Sequence, residues 1–178
     1  MNTQRASSAF TRYLPRLAYP LAVIATLWIV AGRSLFGAGG DLVPVFAVSF
    51  GPMLLVAMGM GAVMMRREAA LHVTRSTTFT IALVYVISFV LALVFGFLVP
   101  DRMGGRVVSA ASQVFGEWFV GLSAGFGNTA GILTLCFALA TYFLALNESK
   151  KTHRTLAGID PEQEEERERA SYTYDFLD

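Results

Sequence analysis

TTFTIALVYVISFVLALVFGFLVP, residues 77–100, contains neither an acid nor a base. Tyr85 and Ser88 are its main polar side chains, and it reads as one continuous apolar helix over Phe79–Val99. About 20 mostly apolar residues suffice to cross the ~30 Å hydrocarbon core of a bilayer. Working outward, three more runs have the same character: Leu17–Phe36, Leu42–Met65 and Trp118–Asn147. Across all four the one ionised side chain is Arg33, near the end of its run. The chain therefore reads as all-α: a polytopic membrane helical bundle of four transmembrane helices, built as two hairpins side by side.

Composition agrees. Of 178 residues, 54% are hydrophobic and only 15% charged, against about 25% charged in a typical soluble domain. Apart from Arg33 and Asp41, the charge is segregated into residues 1–16, loops near residues 70 and 104, and residues 148–178. A charge at mid-bilayer costs roughly 2.5–3.5 kcal/mol on insertion scales, which explains the segregation. Three parts follow: a basic arm (1–16), one membrane domain (17–147) and a tail (148–178) that turns from basic to acidic. The net charge of +1 comes with no long basic stripe, so nucleic acid is not an expected partner. The single cysteine, Cys136, cannot form an internal disulfide and reads as a small apolar filler.

The first run resembles a signal peptide in its preceding Arg5, Arg12 and Arg16. Its apolar part, Leu17–Gly32, is slightly longer than the ~7–15 residues of a signal core, and Arg33 interrupts the approach to any cleavage site. A retained helix is expected.

Basic residues orient the helices. Arg5, Arg12, Arg16, Arg66, Arg67, Arg75, Lys150, Lys151 and Arg154 fall on one side, and Arg33, Arg102 and Arg106 on the other. Nine against three places both termini in the cytoplasm, an N-in/C-in arrangement in the cell membrane. Gly37–Asp41 then makes a tight outer turn, and Asp101–Glu117 is the longest outer loop, with Gly104-Gly105 as its turn. The arm Phe10–Arg16 has the mixture of bulky apolar and basic residues suited to lying on an anionic leaflet.

Small residues mark expected helix contacts. Gly51, Gly59 and Gly61 lie in the second run among five methionines, and Gly121, Gly125, Gly127 and Gly131 in the fourth. In lipid, where no hydrophobic effect draws helices together, such residues allow close backbone approach. Pro52 should kink the second run. Pro20, early in the first run, should cost less, and Ser88 can bond back to its own helix. Trp28, deep in the first run, is expected to pack between helices.

Trp118–Asn147 is longer than one span needs, and Ala124–Gly131 is poor in helix propensity. The expected arrangement is a short outer re-entrant or interfacial segment over about Ser112–Gly125, then a span from Asn128 to Leu146. Asn128 would cap that span. An interhelical hydrogen bond or a substrate or ion contact are the other roles open to it.

In the tail, Lys150–Arg154 is a juxtamembrane basic patch. Asp160-Pro161-Glu162-Gln163 signals a helix start. Tyr172, Tyr174 and Phe176 alternate near the end, a pattern suited to docking a partner as a strand, with plain disorder the alternative.

Recognisable catalytic chemistry is lacking. His72 and His153 have no neighbouring His, Cys or acid at ligand spacing, so no metal site is expected. No phosphate loop, H-E-x-x-H or G-x-S-x-G occurs. Asp101, Arg102, Arg106 and Glu117 read as a solvated mixed set. An ion-coupled carrier usually keeps an intramembrane acid, Lys or His. The expectation is a non-enzyme without cofactor.

Gly96-Phe97-Leu98-Val99-Pro100-Asp101, closing the third run, and the Gly/Asn stretch opening the fourth resemble small four-span membrane proteins of high-GC Gram-positive bacteria. The resemblance covers those two runs and implies no activity. The function expected is that of an accessory or scaffold subunit, working through helix contacts with a protein partner or a second copy, and through its tail. The alternative is a small oligomeric channel or passive permease.

Overall fold

The computed structural model describes residues 7–158. The tail helix expected from Asp160, and Tyr172, Tyr174 and Phe176, lie outside them. The described elements run α1 (Ala9–Ala31), a 3-10 turn (Gly32–Phe36), α2 (Leu42–Val48), α3 (Phe50–Ala70) and α4 (Phe79–Leu98). Then follow β1 (Asp101–Met103), β2 (Arg106–Val108), α5 (Ala110–Phe115) and α6 (Phe119–Leu156). Three helical stretches are long and apolar enough to cross a membrane. The pair α2 and α3, bent by 41° at Ser49, makes a fourth if it is one span.

The helices bury small residues and expose large ones. α1 turns Ala18, Ala22, Ala25 and Ile29 inward at alternating spacings of four and three. α6 turns Ser123, Gly127, Ala130, Thr134, Ala138, Thr141 and Ala145 inward, at spacings of four or three. Ile24, Leu27, Val56, Ile132 and Phe143 point outward and are exposed. In water such a surface would be an aggregation hazard. In lipid the outside must be apolar, and small inner faces allow close packing. This distribution is that of a membrane protein.

α1 packs on α3 and α4, and α6 packs on the same two, whereas α3 and α4 scarcely touch. The four long helices thus form a square in which the 71–78 connection crosses a diagonal. Polar side chains tie the helices together. Tyr85 donates its hydroxyl proton to the Ala18 carbonyl, and Trp28 Nε1 donates to the Leu93 carbonyl at 2.9 Å. Ser88 Oγ donates to the Thr134 carbonyl at 2.9 Å rather than to its own helix.

Several expectations need correction. α1 begins at Ala9, capped by the reciprocal Ser8–Thr11 box, so residues 9–16 are helix. Pro15 and Pro20 are therefore both interior. Pro15 leaves the Thr11 carbonyl four residues back without its helical donor, and the Thr77 N–H takes that acceptor at 3.1 Å. The second run breaks at Ser49, three residues before Pro52. Gly104 (φ 58°) and Gly105 (φ 83°) close a small β-hairpin, as both central residues of such a two-residue turn require positive φ.

The fourth run has no break between Gly125 and Asn128. A short helix, α5, does precede the last long one, but it stops at Phe115, and Gly116 (φ 96°) makes the reversal. From Phe119 the helix is unbroken for 38 residues, about 57 Å at ~1.5 Å per residue. Asn128 lies inside it and caps nothing. Each glycine costs about 1 kcal/mol in a helix, but an unsatisfied backbone group in hydrocarbon costs several. Packing adds to this: Gly127 lies under the Leu98–Val99 backbone and Gly131 under the Phe95 ring.

Gly96 meets Trp28 closely. A Cβ there would lie 2.7 Å from the indole Cδ1 and Nε1. Gly96→Ala should therefore displace the indole and break its bond to Leu93. Overpacking costs about 1–3 kcal/mol and a lost hydrogen bond about 0.5–1.5, against a helix-propensity gain of about 1. A net loss of about 1–2 kcal/mol in detergent unfolding, with a shifted Trp emission, is the expected outcome.

Candidate functional site

The most concentrated polar structure lies where α1, α2 and α4 end or begin. The 3-10 turn after α1 carries Arg33 into the protein, where its side chain has no exposure. Pro100 and β1 bring Asp101, also fully enclosed, to meet it: Nη2 of Arg33 is 3.3 Å from Oδ2 of Asp101. The guanidinium also sits over the Phe46 ring, with Cζ 4.9 Å from its centroid, a cation–π contact.

Asp101 does more than balance a charge. Its Oδ2 accepts from the Gly40 N–H at 2.9 Å, and its Oδ1 from Leu42 N–H at 3.0 Å and Arg102 N–H at 2.7 Å. Leu42 opens α2, whose own N-cap, Asp41, makes no side-chain cap bond. A residue 59 positions downstream therefore caps α2. The Asp41 N–H donates to the Arg102 carbonyl at 3.3 Å, pinning the 37–41 turn against β1. A Cβ on Gly40 would collide with that carbonyl oxygen, so only glycine fits. A carboxylate has about four acceptor positions. With three N–H donors bonded to it and the Arg33 guanidinium beside it, Asp101 is a structural clamp and not a free general base.

Aromatic rings extend the clamp sideways. Phe46 stacks on Phe95, and Phe50 lies 4.9 Å from it. A second series runs Trp28, Phe36, Phe97, Phe115 and Phe119, with neighbouring centroids 5.2–6.2 Å apart. It joins α1, α4, α5 and α6 at this end. Beside it, Met103, Arg106, Ser112, Gln113 and Glu117 line a concavity of about 800 Å³. The Ser112 hydroxyl there already donates to the Ser109 carbonyl at 2.9 Å.

At the other end of α3, Glu68 and His72 pair at 3.2 Å and are both buried. The expectation that His72 has no neighbouring acid is thus corrected. So is the solvated reading of Asp101, since only Arg102, Arg106 and Glu117 of that set are exposed. Among the described residues, no three His, Cys, Asp or Glu side chains converge as metal ligands would.

The glycines divide into two groups. Gly51 packs against the Phe46 carbonyl and Val30, Gly61 against Thr141 and Ala138, and Gly127 and Gly131 against α4. Gly59 floors an open groove, with Tyr19 3.9 Å from where a Cβ would stand. Gly121 and Gly125 meet nothing within 4 Å. With the exposed Asn128 they make an outward stripe on α6 at spacings of four and three.

Comparison with known proteins finds no matching family model, no similar curated protein and no similar solved structure.

Proposed function

We propose that this chain is a non-catalytic four-span protein of the cell membrane with both termini in the cytoplasm, serving as an accessory or scaffold subunit. The observation that carries this reading is how its polar groups are used. Arg33 and Asp101 clamp one end, and Tyr85, Ser88 and Trp28 bond to carbonyls of neighbouring helices. One small-residue surface, Gly121, Gly125 and Asn128 on α6, is left facing outward. Small residues let a foreign helix approach closely in lipid. The second proposed contact is the tail, through Tyr172, Tyr174 and Phe176.

Photo-crosslinking in intact membranes tests the reading. A crosslinker at Gly125 should give a discrete protein adduct, whereas one at the inward Ala138 should give none. Deleting residues 171–178 should remove a partner from those co-purified. Absence of any adduct from Gly125, with identical partners after the deletion, would overturn it.

One observation favours the channel or passive permease as a second reading: Asn128 lies in the outward stripe, where several copies meeting would gather their amides. Flux into proteoliposomes should then vanish on Asn128→Leu while the oligomer persists. Unchanged flux, or none in the unaltered protein, rules it out.

A further inference from the structure

A groove of about 550 Å³ runs along the outer face of α3. Its floor is a helical stripe, Leu55, Gly59, Val63 and Arg67, and Tyr19 of α1 and Tyr142 of α6 flank it. Gly59 gives the groove its depth, since the nearest atom to its missing side chain is 3.9 Å away. We propose that this groove binds one anionic phospholipid, with an acyl chain along α3 and the phosphate against Arg67.

Length, charge and surroundings all support that occupant. Leu55 and Arg67 are twelve residues apart, about 18 Å along the helix, close to one leaflet of a ~30 Å core. The lining is apolar until Arg67, which is exposed at one end and has no ion pair among the described residues. The next residue, Glu68, does not compete for that position, because its side chain is fully buried and turned toward His72. Arg66, also exposed, adds a second positive charge at the same level. A groove open to the side of a membrane helix bundle meets acyl chains first, and a guanidinium at its end selects a headgroup with net negative charge. Tyr19, whose ring comes 3.9 Å from where a Gly59 Cβ would stand, walls the part of the groove that holds the acyl chain.

The test is native mass spectrometry of the full chain released from nanodiscs containing equal phosphatidylglycerol and phosphatidylcholine. The unaltered protein should retain a single phosphatidylglycerol in preference to phosphatidylcholine by about fivefold, the effect of one basic residue at an anionic surface. Arg67→Gln should bring that ratio to about one, and Gly59→Phe, which fills the groove, should abolish the adduct. Circular dichroism confirms that both variants keep their helices, and Arg67→Gln alone decides if Gly59→Phe fails to fold. Equal retention of the two lipids, or a ratio unmoved by Arg67→Gln, overturns the proposal. So does a dimer that Gly59→Phe dissolves, since a second copy would then be the occupant. A protein that stays soluble without detergent and carries neither lipid would instead contradict the membrane reading on which the groove's occupant rests.

Discussion

Replacing Asp101 with alanine is expected to destabilise the protein by about 3–5 kcal/mol, the usual result of removing one member of a buried ion pair. The cost has two parts. The Arg33 guanidinium, fully enclosed, loses its counter-charge and keeps only the Phe46 ring. The N–H groups of Gly40 and Leu42 lose their acceptor, and α2 loses its cap. Arg33→Met should cost less, because Asp101 would keep three backbone donors. The double variant should be more stable than Asp101→Ala alone, with a coupling energy on the order of 0.5–3 kcal/mol. Unfolding in mixed micelles, followed by far-UV circular dichroism, measures all three. Equal losses for the two single variants would mean that the capping bonds contribute nothing.

The second large effect separates the two faces of α6. Ala138 is fully buried, and its carbonyl lies 3.4 Å from where a Cβ on Gly61 would stand. Ala138→Leu should force α3 and α6 apart, at about 1–3 kcal/mol for an overpacked contact and more if the bundle cannot yield. Gly125→Leu, thirteen positions away on the same helix, should be neutral or stabilising for the isolated protein. It meets nothing within 4 Å, and leaving glycine returns up to about 1 kcal/mol of helix propensity. The same micelle titration should thus give opposite signs for two enlargements on one helix.

The helices were legible because lipid imposes a long-range pattern: charge-free stretches between basic ends. Their inner faces were less so. Glycine spacing gives equal weight to Gly51, Gly61, Gly127 and Gly131, which have close neighbours, and to Gly121 and Gly125, which face outward. The true packing stripe of α6 mixes Ser, Gly, Ala and Thr, and only the whole series of three- and four-residue steps distinguishes it. Asn128 was misread because local propensity suggested a break that the lack of backbone partners in lipid forbids. The Glu68–His72 pair was visible as an i,i+4 spacing on a helix end, had the helix been extended past Met65. Arg33 and Asp101 lie 68 positions apart, and no local rule joins them. Their signal is that each stands at the end of an apolar run, Arg33 alone and Asp101 with Arg102 beside it.

Cysteine accessibility in intact cells tests the membrane arrangement most directly. With Cys136 replaced by alanine, an impermeant maleimide added from outside should label Gly105→Cys in the hairpin turn. It should leave Val73→Cys, in the connection after α3, and Gly158→Cys, after α6, unlabelled until the cells are permeabilised. Labelling of Val73→Cys or Gly158→Cys in sealed cells, or protection of Gly105→Cys, would contradict the four-span, N-in/C-in arrangement.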